Sequence, residues 1–254
     1  MAPILMAPIS RLRRLLPPRA AALLLAVALA APPAAADQTD SAVFDLSLRG
    51  IRAGTLAISG AIQEGSYAAA GKLQSSGIVA MVRKISYDAK VTGRVKNGRY
   101  VPVTYEEDAD TGRRQSQSVM AYQDGVPQVK VYNPPRKTRG RDIDPATQGG
   151  TVDPLTAAYA TLRDVPEAEA CQVNLTIFDG KRRSQVRLSG PAVEGGRVTC
   201  AGEYRRLEGF SEEDMAEKAS FPFRLIYEPA RDGVLRVGEV RMDTIYGKGA
   251  LKRR

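Results

Sequence analysis

Two cysteines, Cys171 and Cys200, carry the most definite chemistry in this chain. An even pair in an oxidising compartment is most simply a disulfide. Closing the 29-residue separation would remove roughly 3.5 kcal/mol of chain entropy from the unfolded state. Two free thiols, a redox pair or half a metal site are the alternatives. The spacing is unlike C-x-x-C, and the chain holds no histidine to serve as a co-ligand.

The lack of histidine also removes the side chain best suited to proton transfer near neutral pH. Carboxylates remain. Asp108, Asp110 and Gly112 resemble the opening of a calcium loop, where oxygen ligands alternate and glycine permits a sharp bend. No distal bidentate acid follows, so a polar hairpin tip and no metal are expected. Asp142, Asp144 and Asp153 are loop acids. A hydrolase pair would need two of them held a few ångströms apart in a cleft, which loop spacing does not supply. Arg136, Lys137, Arg139 and Arg141 form the candidate anion-binding loop, because guanidinium groups grip phosphate or carboxylate with two parallel hydrogen bonds. Lys181-Arg182-Arg183 follows an Asp-Gly turn. Neither basic cluster is interleaved with aromatics, which argues against single-stranded nucleic acid. There is no G-x-S-x-G elbow, phosphate-cradling Gly-Lys loop or dinucleotide fingerprint. These residues predict a protein that is not an enzyme and uses no cofactor.

The start of the chain sets the compartment. Arg11, Arg13, Arg14 and Arg19 precede an uncharged run from Ala20 to Ala31, and Pro32-Pro33 breaks it. Ala34-Ala35-Ala36 then offers a signal-peptidase site before Asp37. The run is about twelve residues, short of the roughly eighteen that a spanning helix needs. Residues 1–36 therefore read as a signal peptide and residues 37–254 as a single β-rich domain. The surroundings of Arg13-Arg14 fit a twin-arginine signal poorly, and no cysteine follows the cleavage site to carry a lipid. The expected location is periplasmic, with no transmembrane segment after cleavage. The formal charge of +9 includes four signal arginines, so the remainder holds 33 basic and 28 acidic side chains. That mild excess suits an anionic envelope surface and falls far short of a nucleic-acid binder.

The elements that must position these groups read mostly as strands. From Ile85 to Val95, apolar Ile85, Tyr87, Ala89, Val91 and Val95 alternate with polar residues. This period of two marks a strand with one dry and one wet face. Asn97-Gly98 supplies a type I′ hairpin turn, and Val101, Val103 and Tyr105 resume the alternation. Phe44 to Leu48, Gln115 to Tyr122, Val126 to Tyr132, Val173 to Ile177, Val186 to Leu188, Val198 to Cys200, Phe221 to Leu225 and Val234 to Met242 follow the same grammar. Tight turns between short one-sided strands predict an antiparallel sheet. Asp153 caps a helix with Pro154 in its first turn, running from about 154 to 163. Ser211 opens a shorter helix through a capping-box pattern. Gly77 to Lys84 suits a helical turn or a strand, being apolar either way. The segment from Asn133 to Gly150 is the one long irregular connection.

Four stretches, "FDLSLRGIRAGTLAI", "NGRYVPVTY", "YNPPR" and above all "GGTVDPLTAAYATLR", occur in an order that resembles a family of exported Gram-negative bacterial proteins known as a domain of unknown function. The resemblance implies a β-rich fold like the half-open barrel of periplasmic lipoprotein carriers, with a helix on the concave side. It lends no catalytic residues.

The combined expectation is mainly β: a curved antiparallel sheet or half-open β-barrel of roughly ten strands, with one principal helix against it. Tyr87, Tyr105, Tyr122, Tyr132, Phe44, Phe221, Phe223 and Tyr227 would form its apolar face, as a filled core or as the wall of a cavity. The expected role is a non-enzymatic periplasmic binding or carrier module for an apolar or amphiphilic envelope component, with a lipid or amphiphile as partner. The alternative is an envelope assembly or scaffold protein that meets an anionic glycolipid or a protein through its basic surface.

Overall fold

The computed structural model describes residues 37–135 and 137–254. The expected signal peptide (residues 1–36) and Arg136 lie outside the described residues. Fourteen strands run in chain order as β1 (Gln38–Leu48), β2 (Ile51–Gln63), β3 (Ser66–Ser75), β4 (Ser86–Lys96), β5 (Arg99–Asp110), β6 (Gln115–Gln123), β7 (Val126–Asn133), β8 (Val165–Pro166), β9 (Asn174–Phe178), β10 (Arg183–Glu194), β11 (Arg197–Glu208), β12 (Ser220–Pro229), β13 (Val234–Thr244) and β14 (Gly247–Arg253). Three α-helices join them: α1 (Gly77–Val82), α2 (Pro154–Leu162) and α3 (Glu212–Glu217).

One antiparallel sheet has the order β7-β6-β5-β4-β3-β2-β1-β14-β13-β12-β11-β10-β9, with β8 paired to β13. Helix α2 touches β2 to β5 on one side and the last strand, β9, on the other. The sheet must therefore bend around it. The two outermost strands, β7 and β9, are not paired with each other among the described residues. Residues 137–153 cross between them. Val152 bridges to Ile177 on β9, and Gly150 donates its N–H to the Gly125 carbonyl in the β6–β7 turn. The fold is an open half-barrel closed by a strap and a helix.

Because neighbouring strands alternate in direction, the connections fall at two ends. The upper end carries the β1–β2, β5–β6, β9–β10 and β13–β14 turns together with α1 and α3. The lower end carries the Asn97-Gly98 and Asp124-Gly125 hairpin turns, whose residues adopt the positive φ that a type I′ turn requires.

The expected fold class holds, with fourteen strands where the pattern showed about ten. The strands without a clear signal are β2, β3, β8 and β14. Strands β2 and β3 are rich in Ala and Gly, residues with little intrinsic preference for a sheet. Their reason is tertiary. A Cβ on Gly60 would stand 2.5 Å from the Tyr159 ring, and one on Gly71 would stand 2.7 Å from Leu155 Cδ1. Small residues there let α2 lie directly on the sheet.

One alternation also breaks. Thr92 pairs with Thr104 but Gly93 pairs with Pro102, so Val103 is an extra residue. Such a bulge reverses which side chains face inward. Pro102 is buried and Val103 is exposed, opposite to the simple period-two reading.

Both expected caps form. The Thr156 N–H donates to Asp153 Oδ1 at 2.8 Å, and Ser211 and Asp214 make a reciprocal capping box at the head of α3. Cys171 and Cys200 are joined in a disulfide, with Cα atoms 5.4 Å apart. It fastens the loop before β9 to the concave face of β11.

Candidate functional site

The face that meets α2 is the dry one. Phe44, Tyr105, Phe221, Phe223 and Tyr227 are buried in it, as the sequence pattern anticipates. Tyr87, Tyr122 and Tyr132 are only half-buried. Beneath α2 this face is a filled core. Seven of the nine residues of the helix are buried, and Leu155, Tyr159 and Leu162 pack into the main cluster. Tyr67 meets Tyr100 edge-on at 5.0 Å between ring centres, and Tyr100 meets Tyr159 in the same manner at 6.3 Å. Tyr67 and Tyr100 do not stand out in the sequence, because their partners lie on distant elements.

The lower end is held by polar contacts. Asp40 is buried and accepts hydrogen bonds from the Tyr159 hydroxyl (2.8 Å), Gln38 Nε2 (2.7 Å) and the Asp164 N–H (3.2 Å). Arg163 donates to Gln38 Oε1 and pairs with Glu169. Arg253, near the end of β14, forms a largely buried ion pair with Asp164 at 2.6 Å. The C-terminal end of α2 is thus tied to both β1 and β14.

At the other end of α2, Asp153 is fully buried. Its Oδ2 accepts from the Thr156 hydroxyl at 2.6 Å. That hydroxyl has one proton, so the Tyr67 hydroxyl, 2.7 Å away, must be the donor in their contact. A chain of donors runs from Tyr67 through Thr156 to the carboxylate. Burial pushes the Asp153 carboxyl up to about 6, and the hydrogen bonds from Thr156 oppose the rise. Burial likewise raises the Tyr67 hydroxyl well above its ordinary range.

The three loop acids do not converge on a hydrolytic pair. Asp142 accepts from the Arg139 N–H, Asp144 from the Ala146 N–H, and Asp153 from Thr156. Each stabilises its own local turn or helix start. Asp110 also behaves as a turn residue: it accepts from the Gly112 N–H at 2.8 Å and from Gln115, and those bonds hold its carboxyl below the usual range. Asp88, Asp108 and Asp110 line a shallow outer cleft of about 760 Å³. Among the described residues no group of three or more acids, cysteines or histidines has metal-binding geometry.

Lys137, Arg139 and Arg141 are exposed in the strap at the upper end, and Arg136 lies outside the described residues. The fold brings aromatics to other cations that the linear sequence keeps apart. Arg114 and Lys181 both lie over Tyr132, and Arg182 and Arg206 both lie over Phe210.

The concave face changes character toward the upper end. Leu46, Leu56, Leu73, Tyr87, Met242 and Leu251 form a strip there that is only partly covered. Register places them side by side. Leu251 faces Leu46, and Leu56 faces Leu73, which faces Tyr87. Leu155, at the start of α2, packs on Gly71, and beyond it the strip forms a partly covered apolar mouth.

The sequence model of a family described as "Protein of unknown function (DUF3108)" matches residues 43–207, well over half of the chain. The chain belongs to the DUF3108 family. The DUF3108 match runs from β1 to nearly the end of β11 and holds all four stretches on which the sequence resemblance rests. The chain is also similar to a solved structure, a beta-barrel-like protein of domain of unknown function DUF1849 from Brucella abortus. The identity is 16%, the coverage is 85% of this chain and 95% of that one, and the TM-score is 0.46. No curated protein matches this DUF3108 chain in sequence. Its disulfide fits a compartment outside the reducing cytosol. No helix among the described residues is long and apolar enough to cross a membrane.

Proposed function

We propose that this protein is a non-enzymatic periplasmic binding or carrier module that holds an apolar or amphiphilic envelope component at the upper mouth of the half-barrel. One observation carries the reading: the core that is closed beneath α2 continues upward as a partly covered apolar strip through Leu46, Leu56, Leu73 and Tyr87. An acyl chain laid along it would remove apolar surface from water at about 25 cal/mol per Å². The polar groups of the rim would meet its headgroup. Native mass spectrometry of protein taken from its own periplasm, without delipidation, tests this. A bound mass that disappears in Leu73→Arg is expected, and a clean apo mass in the wild type counts against the reading.

A second reading is favoured by the exposure of Lys137, Arg139 and Arg141 on the same rim. Here the basic strap, including Arg136, contacts an anionic glycolipid or an envelope protein, and the module acts as a scaffold. Replacing the four basic residues with Glu should then abolish recovery with membranes or partner, while unchanged recovery removes this reading.

A further inference from the structure

Helix α1 turns its apolar side outward. Ile78, Met81 and Val82 occupy positions i, i+3 and i+4, which share one face of a helix. They are 65%, 86% and 85% exposed. No residue of α1 is buried. The adjoining turns continue the pattern. Ile51 is exposed beside the β1–β2 turn, and Tyr246 is exposed in the β13–β14 turn. Arg49 Nε donates to the Tyr246 carbonyl at 2.6 Å, which holds those two turns together. The Ser76 N–H donates to the Ala53 carbonyl, which sets α1 against the start of β2. Three neighbouring tips of the upper rim thus present bare apolar side chains.

Cations surround them. Arg83 and Lys84 follow α1 directly and are exposed. The Arg83 side chain lies on the β5–β6 turn, where a Cβ on Gly112 would touch its Cγ at 2.6 Å, and that turn also exposes Arg113. Of the acids on this side, Asp110 is engaged with Gly112 and Gln115, Asp88 is paired with Lys72, and the exposed Asp243 stands opposite Lys248 beside the β13–β14 turn.

We infer that α1 and the two adjoining turns dock this module on an anionic lipid bilayer, with Ile78, Met81 and Val82 entering the interface and Arg83, Lys84 and Arg113 meeting lipid phosphates. A few apolar side chains with a basic collar suffice for reversible interfacial binding. Five exposed apolar side chains spread over three tips fall short of the roughly 800 Å² per partner that a stable protein interface buries. A tyrosine at the rim also suits the headgroup layer. This surface lies outside the mouth, and the inference does not depend on what the mouth holds.

Among the described residues, 37–254 hold all fourteen strands and the core. That unit is tested by co-sedimentation with phosphatidylcholine vesicles, with and without phosphatidylglycerol. Binding is expected only with phosphatidylglycerol and should weaken with added salt. I78S/M81S/V82S should bind at least about tenfold more weakly, the factor that a modest loss of buried apolar surface produces. The chain has no tryptophan, so M81W provides a single reporter, and its emission should shift to the blue on vesicles. The inference is overturned if the wild type binds neither vesicle, if the triple variant binds undiminished, or if M81W emission stays unshifted. The bound mass in native spectrometry reports the mouth separately and should persist in the triple variant.

Discussion

The lower and upper ends of the half-barrel are built from the same strands yet finished in opposite ways. Below, a buried carboxylate, a tyrosine, two arginines and backbone groups satisfy one another and fix the end of α2. Above, leucines of the concave face stay half-covered, and α1 exposes its apolar side. Buried polar groups need partners, and the lower end supplies them to Asp40, Tyr159 and Arg253. Exposed aliphatic groups gain nothing from water, and the proposed binding and docking surfaces both rest on their concentration at this end. Helix α2 is part of the core, whereas no residue of α1 is buried.

Three substitutions put that contrast under strain. Asp40→Ala should have the largest effect. It leaves the buried Tyr159 hydroxyl and the half-buried Asp164 N–H without an acceptor, which costs roughly 3 kcal/mol in urea denaturation. A loss below about 1 kcal/mol would mean that the lower end is not fixed by this network.

Asp153→Asn should have an intermediate effect that depends on pH. The carboxyl titrates near 6 in the folded chain against an ordinary 3.8, so the native state binds the extra proton between those values. Stability from this group is full below about 3.8 and falls as pH rises through about 6. Asparagine still caps the helix and carries no charge. The stability of D153N relative to wild type should therefore improve by about 2 kcal/mol between pH 4 and pH 7. A gap that does not change with pH would show that this carboxylate is solvated.

Val82→Ser should have the smallest effect, within about 0.5 kcal/mol, because the side chain is exposed. A larger loss in thermal unfolding would place α1 with the structural parts of the molecule.

Much of the architecture was legible in the sequence. The alternation in β4, the Asn97-Gly98 turn, the Asp153 cap, the Ser211 capping box and the cysteine pair are all local signals, and each has its expected outcome. Strands β2 and β3 were illegible because their Ala and Gly residues answer to Tyr159 and Leu155, far along the chain. Val103 was misread because a bulge depends on the partner strand. Asp40 gave no signal because its partner, Tyr159, lies 119 positions away. The mouth was legible only as an apolar face: where that face stops being covered is decided by where α2 ends. The exposure of α1 could not be read either, since an apolar run of six residues looks alike inside a core and on a rim.

The strap has a consequence for how copies of this chain coexist. Its Val152 takes the Thr176 carbonyl and the Phe178 N–H, backbone groups that a foreign strand would otherwise seize. Pro127 and Lys130 make the opposite margin, β7, a poor template for the same growth. A curved sheet of this size thereby resists stacking into fibrils while crowded among its own kind.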